Sequence, residues 1–265
     1  RYSKYIARVI ISISVLVAIN IWDLVTTRQA IKVIYNRQSQ LQYANYISNR
    51  VVLTHITVNE LFLTNNTLRV AHKIPYEGIL ELVQTIKGVG REFPEQRHYV
   101  SLVTFNGLGI KTRLFVEKVE TLREIDERSF RPDSMTPLYD AIGFSARKLR
   151  REIEGVKNCS VLVTILTDGL ENNSREYTGR DIRALITELK QEGWTFTYMG
   201  ANHDVGEIAY SLAIPNKLQF EANERDLKRA FDADKSARVL YALKMRRGED
   251  LQENYFEDAG EEKSE

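Results

Sequence analysis

Cysteine and histidine are the residues that this sequence has least of among those that bind metals or form cross-links. Its 265 residues include one cysteine and four histidines, and they form no Cys/His cluster with zinc spacing. The single cysteine, Cys159, excludes an intrachain disulfide, and the apolar run around it indicates a small core residue rather than a nucleophile. A disulfide-stapled scaffold is therefore excluded, and a structural zinc site is disfavoured.

The sequence also lacks an excess of charge of either sign. Its net charge is +1, from 37 basic and 36 acidic residues, which argues against nucleic acid as a partner. Hydrophobic residues make up 43% of the chain and charged residues 28%, a balance typical of a globular rather than a disordered protein. The length suits one domain with appendages.

Glycine is absent from residues 1–77, and all 14 glycines follow. An ordinary share of about 7% would place about five glycines in such a stretch. The same stretch has nine basic and three acidic residues, a formal charge of +6, which leaves −5 for the remainder. Two interpretations stay open for it. It is a divergent native part of the protein, or a fused or out-of-frame stretch joined to a domain whose first core strand is missing or replaced.

Residues 9–25 form the longest apolar run, which is at the lower limit of length for a membrane-spanning helix. Asn20 and Asp23 would be costly in lipid, and basic residues on both sides leave the orientation open. No clear cleavage site follows, so a removable signal peptide is disfavoured. The run is interpreted as a membrane anchor, as a core strand or as foreign sequence. The protein is accordingly expected to be cytoplasmic or membrane-anchored.

From Tyr76 onward, strand and helix patterns alternate. Apolar residues at helical spacing alternate with short apolar runs, which predicts a mostly parallel sheet with helices on both faces. The stretch 51–58 is a candidate for the first strand. Further strands are predicted at 98–106, 110–115, 160–168, 194–200 and 217–221, and helices at 76–93, 136–153, 179–193, 204–214 and 224–248.

Three segments follow from these patterns. Residues 1–50 are an N-terminal hydrophobic or helical extension with a linker. Residues 51–223 are the α/β domain, and residues 224–265 are a C-terminal helix with an acidic tail. Two glycines, Gly107 and Gly109, predict a hairpin turn, since no strand–GxGxxG–helix unit surrounds them.

Two polar residues, Asp168 and Thr136, lie where loops meet one edge of the predicted sheet. Asp168 follows a continuous apolar strand, and Thr136 opens a helix with Pro137 at its first position. Sheets of this kind bind ligands beyond the carboxyl ends of their strands. A carboxylate and a hydroxyl suit a hard divalent cation such as Mg²⁺. The helix N-terminus beside Thr136 is also expected to favour a bound anion.

At these residues the sequence resembles the bacterial branch of the von Willebrand factor type A (vWA) domains. The similar stretches are SLVTFN, RPDSMTPLYDAIG, VLVTILTDGLENNSREYTG and GWTFTYMGANHDV, within residues 76–221. The resemblance implies a Rossmann-like three-layer fold with a metal-ion-dependent adhesion site. There, three loops surround Mg²⁺ (or Mn²⁺), and a carboxylate of a protein partner completes the coordination shell. By motif match, Thr136 is the second-loop threonine and Asp168 the third-loop aspartate.

The first-loop motif departs from the family's Asp-x-Ser/Thr-Gly-Ser. The best candidate is LFLTNNTLRV, residues 61–70, with Asn65 at the aspartate position and Thr67 at the first hydroxyl position. This alignment places Arg69 at the second serine, and repulsion between its charge and a divalent ion at about 4 Å is several kcal/mol. Metal binding is then weakened. An alternative hypothesis is that the Arg69 guanidinium replaces the ion and bridges Asp168 to the partner.

The resemblance implies a protein-interaction module and not an enzyme. The metal ligands it implies are Thr136 and Asp168, with Thr67 and Asn65 from the divergent loop. Two alternatives stay open: a metal-assisted hydrolase with Glu171 or His203 as its base, and a metal-free structural domain. Glu171 and its neighbours Asn172 and Asn173 are expected either to solvate the loop or to support the site, and Asp140 to stabilise a helix N-terminus.

Overall fold

Six strands and five α-helices alternate along the part of the chain that the structure describes. The structure is a computed structural model, and it describes residues 50–59, 73–122, 135–201, 203–221, 223–252 and 254–256. The described residues lie within one compact unit, Asn49–Glu265. The run at 9–25 and the first-loop residues Asn65 and Thr67 lie outside the described residues. None of the helices in the described ranges is long and apolar enough to cross a membrane.

The elements follow the predicted order closely. The strands are β1 (Arg50–Asn59), β2 (Gln96–Asn106), β3 (Gly109–Lys118), β4 (Cys159–Thr167), β5 (Trp194–Ala201) and β6 (Asn216–Phe220). The helices are α1 (Lys73–Glu92), α2 (Leu138–Glu152), α3 (Gly179–Gln191), α4 (Val205–Ser211) and α5 (Glu224–Arg247), with a short 3₁₀ turn at Val119–Thr121.

The strands form one sheet in the order β3-β2-β1-β4-β5-β6. All neighbouring strands are parallel except β2 and β3, which pair antiparallel through the short turn between Asn106 and Gly109. The predicted mostly parallel sheet and the predicted hairpin are both confirmed. Only a hairpin allows so short a connection, because a parallel neighbour needs a crossover of a dozen residues or more.

The first strand lies at the centre of the sheet. β1 pairs with β2 on one side and with β4 on the other, along nearly its whole length. Its side chains Leu53 and Ile56 are almost fully buried. A missing first core strand is therefore excluded, and the stretch 51–58 supplies the strand.

Helices cover both faces of the sheet, which gives three layers. On one face α2, α3 and α4 bury their apolar residues against the sheet in a single cluster. On the other face α1 and α5 pack on the sheet and on each other. The predicted apolar stripe of the C-terminal helix accounts for this packing, since Leu227, Ala230 and Phe231 are buried while Val239 and Leu243 are partly buried.

Candidate functional site

The strand order reverses direction beside β1, and this places the candidate site at the middle of the sheet edge. The chain runs from β1 outward to β2 and β3, and later from β4 outward to β5 and β6. Val58 near the end of β1 pairs with Leu166 near the end of β4, so the carboxyl ends of both strands lie side by side. Open α/β sheets bind ligands in the crevice at such a switch point.

Asp168 follows the last residue of β4 directly and is buried, with 8% of its surface exposed. The preceding strand is buried along all but its first residue, so the sheet interior delivers this carboxylate to its edge. Thr167 shapes the exit from the strand, because its hydroxyl contacts the backbone of Gly169.

Thr136 is fully buried and precedes α2. Its N–H donates to Asn172 Oδ1 at 2.7 Å, and its carbonyl accepts from the Asn172 N–H at 3.2 Å. Asn172 belongs to the loop that begins at Asp168. The structure therefore brings together the two loops that carry Thr136 and Asp168 at one edge of the sheet. The role of these two residues as metal ligands stays a prediction.

The N-terminus of α2 receives its hydrogen-bond acceptors from that loop rather than from its own sequence. The helix begins at Leu138, one residue later than expected, and no side chain at its N-cap accepts a bond. The Tyr139 N–H donates to Glu171 Oε2 at 2.9 Å, and the Asp140 N–H donates to Ser174 Oγ at 3.0 Å. The anion expected at this helix end is supplied within the chain by the Glu171 carboxylate, so the Tyr139 and Asp140 N–H groups already have acceptors.

Glu171 is the centre of the loop's own hydrogen bonds. Its Oε1 accepts from the N–H groups of Asn173 and Ser174 at 2.8 and 2.7 Å, and its Oε2 also accepts from the Ser174 hydroxyl. Glu171 and Asn172 thus fasten the loop to α2, which goes beyond solvation of the loop. Ser174 has the same role, and sequence reasoning missed it. The only sign of it in the sequence is the polar run Glu-Asn-Asn-Ser after Asp168.

Asp140 completes the connection in the opposite direction. It lies in the first turn of α2, and its carboxylate accepts from the backbone N–H groups of Arg175, Glu176 and Tyr177 at 2.8 to 2.9 Å. The sequence predicts that Asp140 stabilises the N-terminus of its own helix, and the structure shows that its carboxylate also holds the loop. Backbone N–H groups of the loop thus donate to the Asp140 side chain, and backbone N–H groups of α2 donate to the side chains of Glu171 and Ser174.

Tyr177 packs against α2 where the helix has a glycine. A Cβ atom added at Gly143 would lie 2.6 to 2.8 Å from three carbon atoms of the Tyr177 ring. Only a residue without a side chain permits so close an approach. Beyond Tyr177, the loop ends at Thr178, which caps α3 in a reciprocal pair of bonds with Asp181. The loop 168–178 is therefore anchored on helices at both ends of the segment.

Two side chains of the described site, Asp168 and Thr136, offer oxygen atoms of the kind that a hard cation binds. The Asp168 carboxylate and the Thr136 hydroxyl are ligand types that Mg²⁺ and Mn²⁺ accept. Within the described ranges, no group of three or more His, Cys, Asp and Glu residues is placed to hold a metal. Mg²⁺ commonly uses one or two protein carboxylates and retains water as its other ligands.

His203, one of the two candidate bases, lies beyond the end of β5. Its Nδ1 is 2.6 Å from the Ala201 carbonyl, which accepts only, so Nδ1 carries the proton. Its Nε2 therefore accepts from the Tyr198 hydroxyl at 3.0 Å. Burial lowers the pKa of His203 and raises that of Tyr198. Both ring nitrogens have partners, as do both oxygens of Glu171.

The fold is similar to the folds of solved vWA domains. The vWF domain of the type V pili tip protein Mfa5 from Porphyromonas gingivalis has a TM-score of 0.51 at 10% identity, over 72% of this chain and 96% of that one. The SpRpn10 VWA domain has a TM-score of 0.43 at 10% identity, over 68% and 93% of the two chains.

The structure of proximal thread matrix protein 1 from the mussel byssus is also similar, with a TM-score of 0.46 at 11% identity, over 75% of this chain and 47% of the mussel chain. The chain described here therefore spans about half the length of the mussel protein. No protein-family model matches the sequence, and no curated protein is significantly similar to it. At these identities the likeness concerns the fold alone, and the chain has the Rossmann-like, three-layer fold of a vWA domain.

Proposed function

We propose that this protein is an interaction module that binds an acidic group of a protein partner at the carboxyl edge of its sheet. The observation that carries the proposal is the position of Asp168, a buried carboxylate at the switch point, in a loop bonded to Thr136. An ion held by Asp168 and Thr136 would present its remaining coordination positions to a carboxylate of the partner. Mg²⁺ or Mn²⁺ is the proposed ion.

The first loop is proposed to modulate this site. Asn65 and Thr67 are the additional ligands that the sequence suggests, and Arg69 is the charge that would weaken the ion's affinity. Asn65 is a neutral ligand where a carboxylate would otherwise stand, so we propose a weak site that the partner's carboxylate strengthens. Removal of Arg69 as Arg69→Ser would then raise the affinity for Mn²⁺ without a partner, and an unchanged affinity would remove Arg69 from the site.

The surface around the candidate site supports a protein partner. Leu170 and Met135 are large apolar residues that are 52% and 47% exposed, in a loop region otherwise rich in polar residues. Leu170 lies two residues after Asp168, and Met135 immediately precedes Thr136. Apolar side chains beside a polar anchor are typical of protein interfaces.

The proposal is tested first by the affinity of the full chain for Mn²⁺, measured by titration calorimetry. Asp168→Ala removes the only carboxylate of the described ligand pair, and we expect a loss of affinity of about tenfold or more. Glu176→Ala is the matched control, because it removes an exposed carboxylate from the same loop and should leave the affinity unchanged. Equal affinities of the wild-type protein and Asp168→Ala would contradict the metal role of Asp168.

An array of synthetic peptides tests the acidic partner. Peptides with a central Asp or Glu should retain the protein in Mg²⁺, and their Asn and Gln counterparts should not. Binding should be lost in EDTA and in Asp168→Ala. Retention by acidic peptides that persists in EDTA would exclude the metal and favour direct recognition by Arg69, whereas equal retention by the amide peptides would contradict acidic recognition altogether.

We propose that the protein is not an enzyme. The two candidate bases support this, since Glu171 and His203 use their polar atoms to hold the loop and the end of β5. A general base must reach the proton that it abstracts. Turnover of a generic phosphate or carboxylic ester that Asp168→Asn abolishes would contradict the proposal.

A further inference from the structure

A small cavity lies beneath α5, on the face of the sheet opposite to α2, α3 and α4. Its volume is about 20 Å³, counted as the space open to the centre of a water molecule. Aliphatic residues of α1, α5 and the central strands form most of its wall, and four residues with polar groups also line it: Thr54, His98, Arg238 and Tyr241. A volume of about 10–15 Å³ by this measure is enough for one water molecule.

Two of these polar residues present atoms that no described protein group satisfies. Arg238 Nη1 and His98 Nε2 are fully buried, and neither has a hydrogen-bond partner within the described part of the chain. Both residues are only 3% exposed. Buried polar atoms in folded proteins nearly always have a partner, which is frequently an ordered water molecule.

The other nitrogens of Arg238 are bound by protein groups, and these fix its orientation. Arg238 Nε donates to Asp234 Oδ2 at 2.5 Å, and Nη2 donates to Thr164 Oγ1 on β4 at 2.9 Å. Asp234 is fully buried and also accepts from the Tyr255 hydroxyl at 3.3 Å. The guanidinium is therefore held at Nε and Nη2, while Nη1 has no partner among the described residues and Arg238 lines the cavity.

We propose that the cavity holds one buried water molecule that accepts from Arg238 Nη1 and donates to His98 Nε2, with the Thr54 hydroxyl as a further partner. The water joins α5 to β2 through the Asp234–Arg238 ion pair. Helix α5 is therefore held on the sheet in two ways. Its apolar residues pack against the strands, and a chain of hydrogen bonds runs from Asp234 through Arg238 and the water to His98.

Charge selects water over an ion. Asp234 already neutralises Arg238, so an anion in the cavity would be a buried charge without compensation, and a cation would face Arg238. Burial lowers the pKa of His98 to about 4, so the imidazole is neutral near pH 7 and retains one acceptor nitrogen. A neutral molecule that both donates and accepts fits this set of atoms.

The test is nuclear magnetic resonance of water contacts in the full chain at pH 7. Long-lived buried water should give cross-peaks between the water resonance and the ring protons of His98. The ring of Phe105, fully buried on the other face in contact with apolar residues, should give none. Absence of the His98 cross-peaks would overturn the proposal.

The variant Thr54→Val distinguishes cross-peaks that come from a buried water from cross-peaks that come from an exchanging hydroxyl. This variant keeps the shape of the side chain but removes the Thr54 hydroxyl, whose own exchange with solvent also produces cross-peaks. Tyr241→Phe removes the other hydroxyl of the cavity wall in the same way. We expect the His98 cross-peaks to persist in both variants, because Arg238 still donates to the water. Their loss in either variant, with the fold retained by circular dichroism, would assign the wild-type cross-peaks to that hydroxyl and overturn the proposal.

Discussion

His98 shows at the residue scale how burial alters the chemistry of a single group. The residue is 3% exposed, and desolvation lowers its pKa from 6.5 to about 4, although Glu120 and Glu95 act in the opposite direction. An imidazole in the unfolded chain therefore binds a proton at a higher pH than the same imidazole in the folded protein. The folded state favours the neutral form, which is also the form that a buried cavity tolerates.

This shift predicts acid destabilisation between about pH 6.5 and pH 4. In that window the unfolded state binds more protons, so the free energy of unfolding falls as the pH falls. The full difference corresponds to about 3 kcal/mol, reached near pH 4. Denaturant titrations across this range should show the fall, and His98→Gln should show a smaller one. An identical pH dependence in His98→Gln would contradict the assignment to this residue.

The loop 168–178 and helix α2 act at the element scale as one unit. The helix supplies Asp140 to the loop backbone, and the loop supplies Glu171, Asn172 and Ser174 to the helix end. Each hydrogen bond contributes about 1 kcal/mol, and those to a carboxylate contribute more. A loop held at this many points keeps Asp168 and Thr136 in a constant arrangement, which a ligand site requires.

Gly143→Ala tests this unit. The new Cβ would meet the Tyr177 ring at 2.6 Å, so the ring or the helix must move, and we expect a loss of about 1–3 kcal/mol in the free energy of unfolding. Gly88→Ala is the matched control: Gly88 lies in α1, and beyond the local helix backbone no atom lies within 4 Å of the added Cβ, so this change should stabilise by about 0.5–1 kcal/mol. Equal effects of the two substitutions would contradict the packing of Tyr177 on α2.

At the scale of the whole molecule, α5 is part of the core although the sequence places it after the α/β pattern has ended. It buries large side chains at Leu227, Phe231, Tyr241 and Met245, spread over its two halves. At about 1.5–3 kcal/mol for each, their burial is worth on the order of 6–12 kcal/mol. That range is comparable to the entire stability of an ordinary domain.

A chain truncated after Asn223 should therefore lose cooperative folding. The truncation uncovers the apolar face of the sheet beside α1, and heating monitored by circular dichroism should show no sharp transition. A chain that ends at Phe256 keeps α5 and should unfold cooperatively. A sharp transition in the shorter chain at an unchanged temperature would show that α5 is an appendage.

The features of this protein that could be predicted from its sequence are those that produce a local pattern of apolar and polar residues. The continuous apolar run of β4 identifies a central strand, and the helical spacing in α1 and α3 identifies covering helices, because each pattern reflects which faces are buried. The placement of Asp168 at the carboxyl edge follows as well, since it ends a parallel strand, and Thr136 lies at the same edge because α2 starts there before it leads into the parallel strand β4. The beginning of α2 is displaced by one residue, since its cap comes from another loop.

The sequence by itself determined the order of the elements, the mostly parallel sheet and the edge at which the polar loops meet. Only the tertiary structure decided which polar group binds which. Glu171 reaches the N-terminus of α2 from 32 residues away, and Arg238 reaches Thr164 from 74. Such pairs depend on how whole helices dock on the sheet, and docking is a sum over many distant contacts that leaves no periodic pattern in either partner's own segment.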